Sequence, residues 1–390
     1  MKEVVIIGIG QTPVSECWEK SIREITGEAI FSAIKDAGVS TVDGIFIGNM
    51  LSGITNRQEN LGTLIADWVG MQGKEAVKIE AACGSGAAAL RLAIAAIGSG
   101  EMDFAIAAGI EKMSETTGGD TTSALATAAD ADYETIHGLS FVAINALIMK
   151  RYMHHYGWKH EHFAPFSINA HANATHNPNA RLRSKITTDD YLKARMIASP
   201  INLLDASPTG DGSAAIVITT KDMLSRVDLY KKSIIKIIAS SSATDFLAVH
   251  DRNNPLWLTA SEKSAKKAYA QAGIQPMDVD FFELHDAFSI MAALSLEACG
   301  FVEQGKAPLI ALEDDIRITG KIPISTMGGL KARGHPVGAT GLYQIVEAVE
   351  QLRGNAGDLQ VENAKIGMAQ NIGGSGATAI THILTSDTLV

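Results

Sequence analysis

The sequence predicts an α/β protein made of two related halves. Short apolar runs alternate with amphipathic helical stretches, a pattern typical of mixed sheets covered by helices. Residues 37–47 and 272–282 match at one constant offset, and in each match a helix ends at a glycine and leads into an apolar strand. Two glycine-rich turns, at 210–213 and 373–376, correspond in the same order and each feeds a strand. The chain is therefore predicted to contain an internal duplication.

The first half is interrupted by residues 112–199, which are rich in Thr, Ala, Asn and His and have no counterpart in the second half. We interpret them as a loop domain inserted over an active site, because loops on a rigid scaffold commonly carry substrate contacts. The predicted boundaries are 1–111 with 200–228 for the N-terminal half, 112–199 for the loop domain and 229–390 for the C-terminal half.

The composition argues against several classes of protein. The 390 residues carry a net charge of −10 without a Lys/Arg-dense stripe, so no nucleic-acid partner is expected. Three cysteines make no disulfide framework and fit a reducing, cytoplasmic location. Arg91 interrupts an apolar helical stretch, so no membrane-spanning segment is expected. Six histidines fall between His154 and His176, but no cysteine or paired carboxylate completes a ligand set, and no metal site is predicted.

Cys83 is the first residue that points to chemistry. An apolar extended run breaks there at a turn of small residues, and a helix over residues 87–97 is predicted to follow. The N–H groups and the dipole of a helix N-terminus stabilise a thiolate, so the pKa of this thiol is expected to be lowered. For an isolated cysteine a buried structural role is the commoner one, and a catalytic role requires a base elsewhere in the chain.

Two histidines are candidates for that base. His335 lies in the glycine-rich stretch 327–341, and Pro336 fixes the backbone beside it, so a rigid loop presents one imidazole as a general base requires. His285 follows a predicted strand over residues 279–282, where a single histidine is more often structural than catalytic.

A glycine-rich turn provides the last candidate group. It contains Asn371 and Gly373 and follows a predicted strand over residues 366–368. Its N–H groups can approach a bound carbonyl oxygen closely, as an oxyanion hole requires.

Four motifs together resemble the thiolase superfamily, in order and spacing, over essentially the whole chain. They are the turn at Cys83, His285-Asp286-Ala287-Phe288, Gly334-His335-Pro336-Val337-Gly338 and Asn371-Ile372-Gly373-Gly374. The His-Asp-Ala-Phe motif is most similar to that of the archaeal-type acetyl-CoA acetyltransferases, which are related to the sterol-carrier-protein-associated thiolases.

The resemblance implies a thiolase fold, a duplicated five-layer α-β-α-β-α sandwich with an inserted loop domain, in a homodimer or tetramer. It implies that Cys83 takes an acetyl group from acetyl-CoA while His335 removes the thiol proton. A second acetyl-CoA then loses an α-proton and attacks, giving acetoacetyl-CoA and CoA in a reversible Claisen condensation. The backbone N–H groups of Cys83 and Gly373, in the turn with Asn371, would hold the thioester oxygen. His335 and His285 would stabilise the enolate. Coenzyme A thioesters are then substrates, no cofactor is expected, and the residues that bind CoA are not identified.

The chain departs from the family at the second catalytic cysteine. The two places where thiolases carry it hold Asn371 and Ala287 here. Cys299 lies too far along a predicted helix to replace it. Asn371 has no useful basicity, so abstraction of the α-proton falls to a histidine, either His285 or His335.

Three interpretations follow. The preferred one is an acetoacetyl-CoA thiolase supplying the mevalonate pathway of isoprenoid biosynthesis, with hydroxymethylglutaryl-CoA synthase and a small OB-fold, zinc-ribbon protein as partners. The second is decarboxylative condensation, as in ketoacyl synthases, which also use a Cys-His-His set. The third is a non-condensing subunit of a thiolase/hydroxymethylglutaryl-CoA synthase complex.

Overall fold

A computed structural model describes residues 2–227 and 234–386. The predicted boundary between the halves, at 228/229, lies outside the described residues. The first half begins with β1 (Val4–Gln11), α1 (Ile22–Ala37), β2 (Gly44–Gly48), α2 (Ser52–Thr55), α3 (Leu61–Trp68), β3 (Glu75–Ile79), α4 (Ser85–Ser99) and β4 (Phe104–Glu111). The inserted segment contains α5 (Gly118–Ala126), α6 (Phe141–Tyr156), α7 (Ala164–Ala174), α8 (Thr188–Lys193), β5 (Met196–Ala198) and β6 (Ile201–Asn202), and β7 (Gly212–Thr220) completes the half.

The second half has a similar order of elements without the insertion, except that an isolated bridge between Phe282 and Ile324 stands where the first half has β3. It contains β8 (Ile235–Thr244), α9 (Thr259–Ala272), β9 (Phe281–Glu283), α10 (Ser289–Ala298), α11 (Ala307–Leu312), a π-helical turn (Gly329–Arg333), α12 (Thr340–Arg353), β10 (Ile366–Gly373) and β11 (Thr378–Thr385). Helices α1 and α9 both end at a glycine in the left-handed conformation, Gly38 and Gly273, as the repeated sequence predicts.

Within the described ranges the strands of both halves join in one sheet, in the order β3-β2-β4-β7-β1-β8-β11-β10-β9. In the first half β2 is parallel to β3 and β4, while β7 is antiparallel to β4 and β1. In the second half β9 is parallel to β10, while β11 is antiparallel to β10 and β8. Strands β1, β2, β4 and β7 thus hold the positions of β8, β9, β10 and β11, which confirms the duplication.

The helices form three layers around the two halves of the sheet. Helices α1 and α3 cover the outer face of the first half, and α9 covers that of the second, while α4 and α12 pack against strands of both halves between them. This is the expected five-layer α-β-α-β-α sandwich. A Cβ on Gly341 would lie 2.5 Å from the backbone nitrogen of Ala87, so only glycine lets the start of α12 approach the start of α4 this closely.

Arg91 does not make helix α4 polar enough to exclude a membrane span by composition. Residues Ala82–Ser99 have a mean hydropathy of 1.4, which meets the length and composition of a membrane span, and 61% of this stretch is buried inside the protein. The helix starts two residues earlier and ends two residues later than predicted. Its place between the sheet halves accounts for its apolar character, because a helix buried on several sides needs no polar face.

The inserted segment is fixed to the second half through Asp205. His160 Nε2 lies 2.7 Å from the Asp205 carboxylate, the Tyr191 hydroxyl donates to the same group, and Lys331 Nζ donates to the Asp205 backbone oxygen. The predicted boundary at 199/200 divides the hairpin of β5 and β6, because Ala198 pairs with Ile201. The hairpin belongs with the insertion, which extends to the start of β7.

Candidate active site

Cys83 lies in a tight turn between β3 and α4. Ala82 adopts φ of 51°, a left-handed conformation that a residue with a Cβ rarely takes. The hydroxyl of Ser85 accepts a hydrogen bond from the Ala81 N–H at 2.9 Å and donates to the Ala82 carbonyl at 2.6 Å. This clamp holds the strained turn, which aims the thiol into a pocket.

Burial, rather than the helix N-terminus, decides the protonation of Cys83. Burial raises the pKa of the thiol to about 12, and the Glu111 carboxylate adds to the rise. The N–H groups of Gly374 and of Cys83 itself oppose this rise in pKa but do not overcome it. The expected lowering of the pKa is therefore wrong. The thiol is protonated at neutral pH and needs a general base in order to react.

His335 is held with its base nitrogen free. The Thr340 hydroxyl donates to the Pro336 carbonyl at 3.0 Å, so its oxygen accepts from Nδ1–H of His335 at 2.6 Å. The proton of the neutral ring is thereby placed on Nδ1, and the lone pair of Nε2 remains available. Burial and the neighbouring His285 hold the pKa of His335 well below its ordinary value, so the ring is unprotonated at neutral pH.

Glu111, at the end of β4, fixes the loop that carries His335. Its carboxylate accepts hydrogen bonds from the Gly338 N–H at 3.0 Å, from the N–H groups of Met50 and Leu51 at 3.0 and 3.1 Å, and from Asn49 Nδ2 at 2.9 Å. Burial raises the pKa of Glu111 to about 7. One buried carboxylate thus joins the loop after β2 to the loop before α12.

His285 lies just beyond β9 with its ring nearly perpendicular to that of His335. The ring centroids are 5.2 Å apart and the planes meet at 84°. Its Nδ1 lies 3.1 Å from Asn371 Nδ2 on β10. Burial lowers the pKa of His285 to about 3, with a further contribution from Arg333. His285 is therefore neutral at any pH near neutrality.

The structure brings Cys83, His285 and His335 together, as their common role predicted. One nitrogen or sulfur atom of each lies within 4.8 Å of those of the other two, a spacing that could also hold a metal ion. Asn371 Nδ2 lies 3.1 Å from His285 Nδ1, and the assignment of Asn371 to the oxyanion hole stays a prediction. The N–H that reaches the thiol belongs to Gly374, one residue after the predicted Gly373, and Gly374 lines the pocket.

The other two cysteines lie outside this pocket. Cys299 is buried beyond the end of α10, where its thiol contacts Gln370 Oε1 at 3.4 Å. Cys17 is half-buried beside Ser15. Sequence reasoning missed Thr340, Glu111 and Gly374. Thr340 and Gly374 lie within stretches that it did identify but without an assigned role, whereas Glu111 gave no signal beyond its position at the end of a strand.

The thiol opens into an apolar pocket of about 190 Å³. Its wall is formed by the inserted segment, α10 and the catalytic loops, and no Lys or Arg is among the described residues that line it. The larger apolar side chains of the wall are Met113, Leu125, Phe141, Val142, Phe288, Met291 and Val337. A pocket of this kind excludes water from a reactive acyl group. A nucleophilic thiol, an unprotonated imidazole and backbone N–H donors here define a thiol-dependent acyl-transfer site.

Comparison with known proteins identifies the family. Residues 4–222 match the model described as thiolase, N-terminal domain, and residues 241–386 match the thiolase C-terminal domain-like model. The chain belongs to the thiolase family. It is 42% identical over 388 residues, 99% of this chain and 100% of the relative, to a protein named acetyl-CoA acetyltransferase from Methanothermobacter thermautotrophicus. It is 37% identical to a protein of the same name from Methanocaldococcus jannaschii, over 99% of each chain.

More distant relatives share the fold. Sterol carrier protein 2 of Gallus gallus is 30% identical over 97% of this chain and 71% of its own length. Among solved structures, the Ltp2-ChsH2(DUF35) aldolase superposes with a TM-score of 0.86 at 22% identity, covering 99% of this chain and 98% of the other. The structure of an acetyl-CoA acetyltransferase from Syntrophomonas wolfei gives a TM-score of 0.77 at 19% identity, with both chains fully covered.

Proposed function

We propose that this chain is an acetyl-CoA C-acetyltransferase that condenses two molecules of acetyl-CoA into acetoacetyl-CoA through an acetyl-Cys83 intermediate. The observation that carries the proposal is the meeting of the Cys83 thiol with His335 and His285, one atom of each within 4.8 Å of the others, at an apolar pocket. Two relatives that match over almost their whole length are named for the same reaction.

The first half-reaction transfers acetyl to the enzyme. His335 Nε2 takes the thiol proton as the Cys83 sulfur attacks the thioester carbonyl, and the N–H groups of Cys83 and Gly374 stabilise the oxyanion. Gly373, assigned from the family resemblance, remains a predicted second donor. The C–S bond of acetyl-CoA breaks, and the leaving CoA thiolate takes the proton from His335. Acetyl-Cys83 and free CoA are the products of this step.

The second half-reaction forms the carbon–carbon bond. A second acetyl-CoA loses an α-proton to a histidine, and the enolate attacks the carbonyl of acetyl-Cys83. The bond between that carbonyl and the Cys83 sulfur breaks, and the thiolate recovers the proton as acetoacetyl-CoA leaves. The amide and imidazole donors supply the stabilisation of both oxyanions, so the proposal needs no metal or other cofactor.

Incubation of the purified chain with acetyl-CoA tests the proposal. We expect mass spectrometry to locate an acetyl group on Cys83 and chromatography to detect acetoacetyl-CoA. Cys83→Ala should abolish both, and His335→Ala should slow both strongly. Acetylation without acetoacetyl-CoA would support the non-condensing subunit instead. Faster condensation with malonyl-CoA than with acetyl-CoA as the nucleophile would support the decarboxylative reaction, which a Cys-His-His set also serves.

We also propose that the product is withdrawn by a partner, since Claisen condensation of two thioesters is reversible. Hydroxymethylglutaryl-CoA synthase and a small OB-fold, zinc-ribbon protein are the partners proposed from the family resemblance, in the cytoplasm and with this chain as a homo-oligomer. One solved structure of similar fold is named Ltp2-ChsH2(DUF35) aldolase. Co-expression followed by affinity purification tests the assembly, and failure to recover either partner at stoichiometric yield would contradict it.

A further inference from the structure

We infer that Asn371 is a positioning residue that keeps the proton of His285 on Nε2, so that His285 acts as a hydrogen-bond donor and His335 is the base in both half-reactions. The inference rests on the proposed condensation. It assigns a role to the residue that stands where most of the family carries a second cysteine.

The first step concerns the hydrogen bond between Asn371 and His285. The Nδ2 group of Asn371 lies 3.1 Å from Nδ1 of His285. In this orientation of the amide, whose NH₂ group can only donate, Nδ1 accepts through its lone pair. A neutral imidazole carries one N–H, which is therefore on Nε2. His285 then presents an N–H, and no lone pair, to the pocket.

The second step concerns what fixes the Asn371 side chain. Asn371 is buried on β10, and its Oδ1 has no hydrogen-bond partner. Oδ1 lies in the space beside Gly341, where a Cβ on that residue would approach it to 2.4 Å. The amide is confined between the start of α12 and the His285 ring, so it has little room to release the ring.

The third step concerns the proton of His335, which lies on the other ring nitrogen, Nδ1. Its Nδ1–H is bound to Thr340, so its Nε2 carries the lone pair. Two neutral rings, nearly perpendicular and 5.2 Å apart, thus present one donor and one acceptor to the same pocket. Burial depresses both pKa values, so neither ring gains a second proton near neutral pH. The donor suits the enolate oxygen and the acceptor suits the α-proton.

His335 alone accounts for every proton transfer in the two half-reactions. In the first half-reaction His335 receives the Cys83 proton and gives it to the departing CoA thiolate. In the second it receives the α-proton of acetyl-CoA and gives it to the Cys83 thiolate when acetoacetyl-CoA leaves. His285 donates a hydrogen bond in the second step and its ring ends in the form in which it began. Asn371 acts only through His285.

Substitution of Asn371 by aspartate separates the two roles of His285. A carboxylate accepts only, so Asn371→Asp moves the proton to Nδ1 and turns Nε2 into an acceptor. We expect deuterium exchange of the acetyl-CoA methyl group and kcat for condensation to fall by about 100-fold, the usual loss for one oxyanion donor. Acetylation of Cys83 should fall far less. Exchange at or above the wild-type rate would overturn the inference, because it would make His285 the base.

Two further substitutions test the donor directly. Asparagine at position 285 retains an amide N–H, so His285→Asn should lose about 10-fold or less in exchange, whereas His285→Ala should lose about 100-fold. Equal, complete loss in both would overturn the inference. Retained deuterium exchange in His335→Ala would also overturn the inference.

Nitrogen-15 NMR of histidine-labelled protein reads the tautomer without relying on activity. The His285 resonances, assigned by their loss in His285→Asn, should show the proton on Nε2 in the wild type and on Nδ1 in Asn371→Asp. A wild-type proton on Nδ1 would overturn the inference even if Asn371→Asp failed to fold. Absence of acetoacetyl-CoA synthesis by the wild type would instead contradict the proposed function, and the tautomer would still be measurable.

Discussion

At Cys83 two physical effects oppose each other. The thiol stands next to the first turn of α4 and receives two backbone N–H groups, which favour the thiolate, yet its burial and the Glu111 carboxylate disfavour any negative charge there. Burial dominates because the thiolate loses most of its hydration. Nearby, burial keeps His335 unprotonated. The two groups therefore rest as a neutral pair, and proton transfer occurs when the sulfur attacks.

Thr340 is predicted to set the efficiency of proton transfer from Cys83 to His335. Thr340→Val keeps the shape of the side chain but removes the oxygen that accepts from His335 Nδ1, so the proton is free to move to Nε2. We expect the rate of Cys83 acetylation to fall by about 10-fold, less than the roughly 100- to 10,000-fold that general base catalysis contributes, because the imidazole itself remains. Rapid-quench mass spectrometry of the acetylated protein measures it.

Thr340→Ser is the matched control, because it restores the hydroxyl. Wild-type acetylation in the valine variant, or an equal loss in the serine variant, would contradict the orienting role of Thr340.

At the scale of elements, two local features bring the loops that carry Cys83 and His335 together. Glu111 joins the end of β4 to the loops at residues 49–51 and 338. Gly341 lets the start of α12 approach the start of α4. Cys83 precedes α4 and His335 precedes α12, so the packing of these two helices sets the distance between thiol and imidazole.

Replacement of Glu111 by glutamine should weaken this junction. A glutamine turns one of the two acceptor oxygens into an NH₂ group that faces N–H donors, which leaves buried groups unpaired. We expect a loss of about 2–3 kcal/mol in the free energy of unfolding and slower acetylation of Cys83. Urea denaturation followed by fluorescence measures the free energy of unfolding.

The exposed Glu101→Gln is the control for this variant and should change neither quantity. Unchanged stability in Glu111→Gln would show that the carboxylate does not join the loops.

Gly341→Ala should be destabilising because its Cβ would lie 2.4 Å from Asn371 Oδ1 and 2.5 Å from the Ala87 nitrogen. Such overpacking typically costs about 1–3 kcal/mol. Gly118→Ala, at a helical glycine whose Cβ would meet nothing within 4 Å, is the matched control and should be neutral or slightly stabilising. Thermal unfolding compares the two, and equal melting temperatures would refute the close approach.

At the scale of the whole molecule, the duplicated sandwich buries histidines that no solvent reaches. Burial lowers the pKa of His285 to about 3 and that of His382 to about 4, and it holds the pKa of His335 well below its ordinary value. An unfolded chain binds protons at these rings below pH 6.5, while the folded protein does not. Stability is therefore lost as the pH falls from 6.5 toward these depressed values.

His382 tests this acid sensitivity without touching the active site. It lies on β11, where its Nε2 bonds the Ala87 carbonyl at 3.2 Å. In His382→Asn one titrating group is removed, so the slope of the unfolding free energy between pH 6 and 4.5 should decrease by up to about 1.4 kcal/mol per pH unit. Chemical denaturation at several pH values measures it, and an unchanged slope would show that His382 is not buried in its neutral form.

The duplication, the order of elements and the main catalytic groups could be read from the sequence, because each depends on local patterns. Helices α1 and α9 have apolar periodicity and a terminal glycine, and the motifs around Cys83 and His335 are contiguous. The composition does not mark the hairpin of β5 and β6, so it gives no sign that the predicted boundary at 199/200 falls between two paired strands. Arg91 alone does not exclude a membrane span by composition, because the rest of α4 is apolar.

By itself the sequence determined the fold class, the duplicated halves and the three residues that meet in the pocket. Only the tertiary structure decided their protonation. The sequence predicted a lowered pKa for Cys83, and burial among both halves raises it instead. The proton positions on His285 and His335 depend on Asn371 and Thr340, and Asn371 is distant from His285 in sequence. Burial and hydrogen-bond partners across the fold, rather than residue type, set which group donates and which accepts.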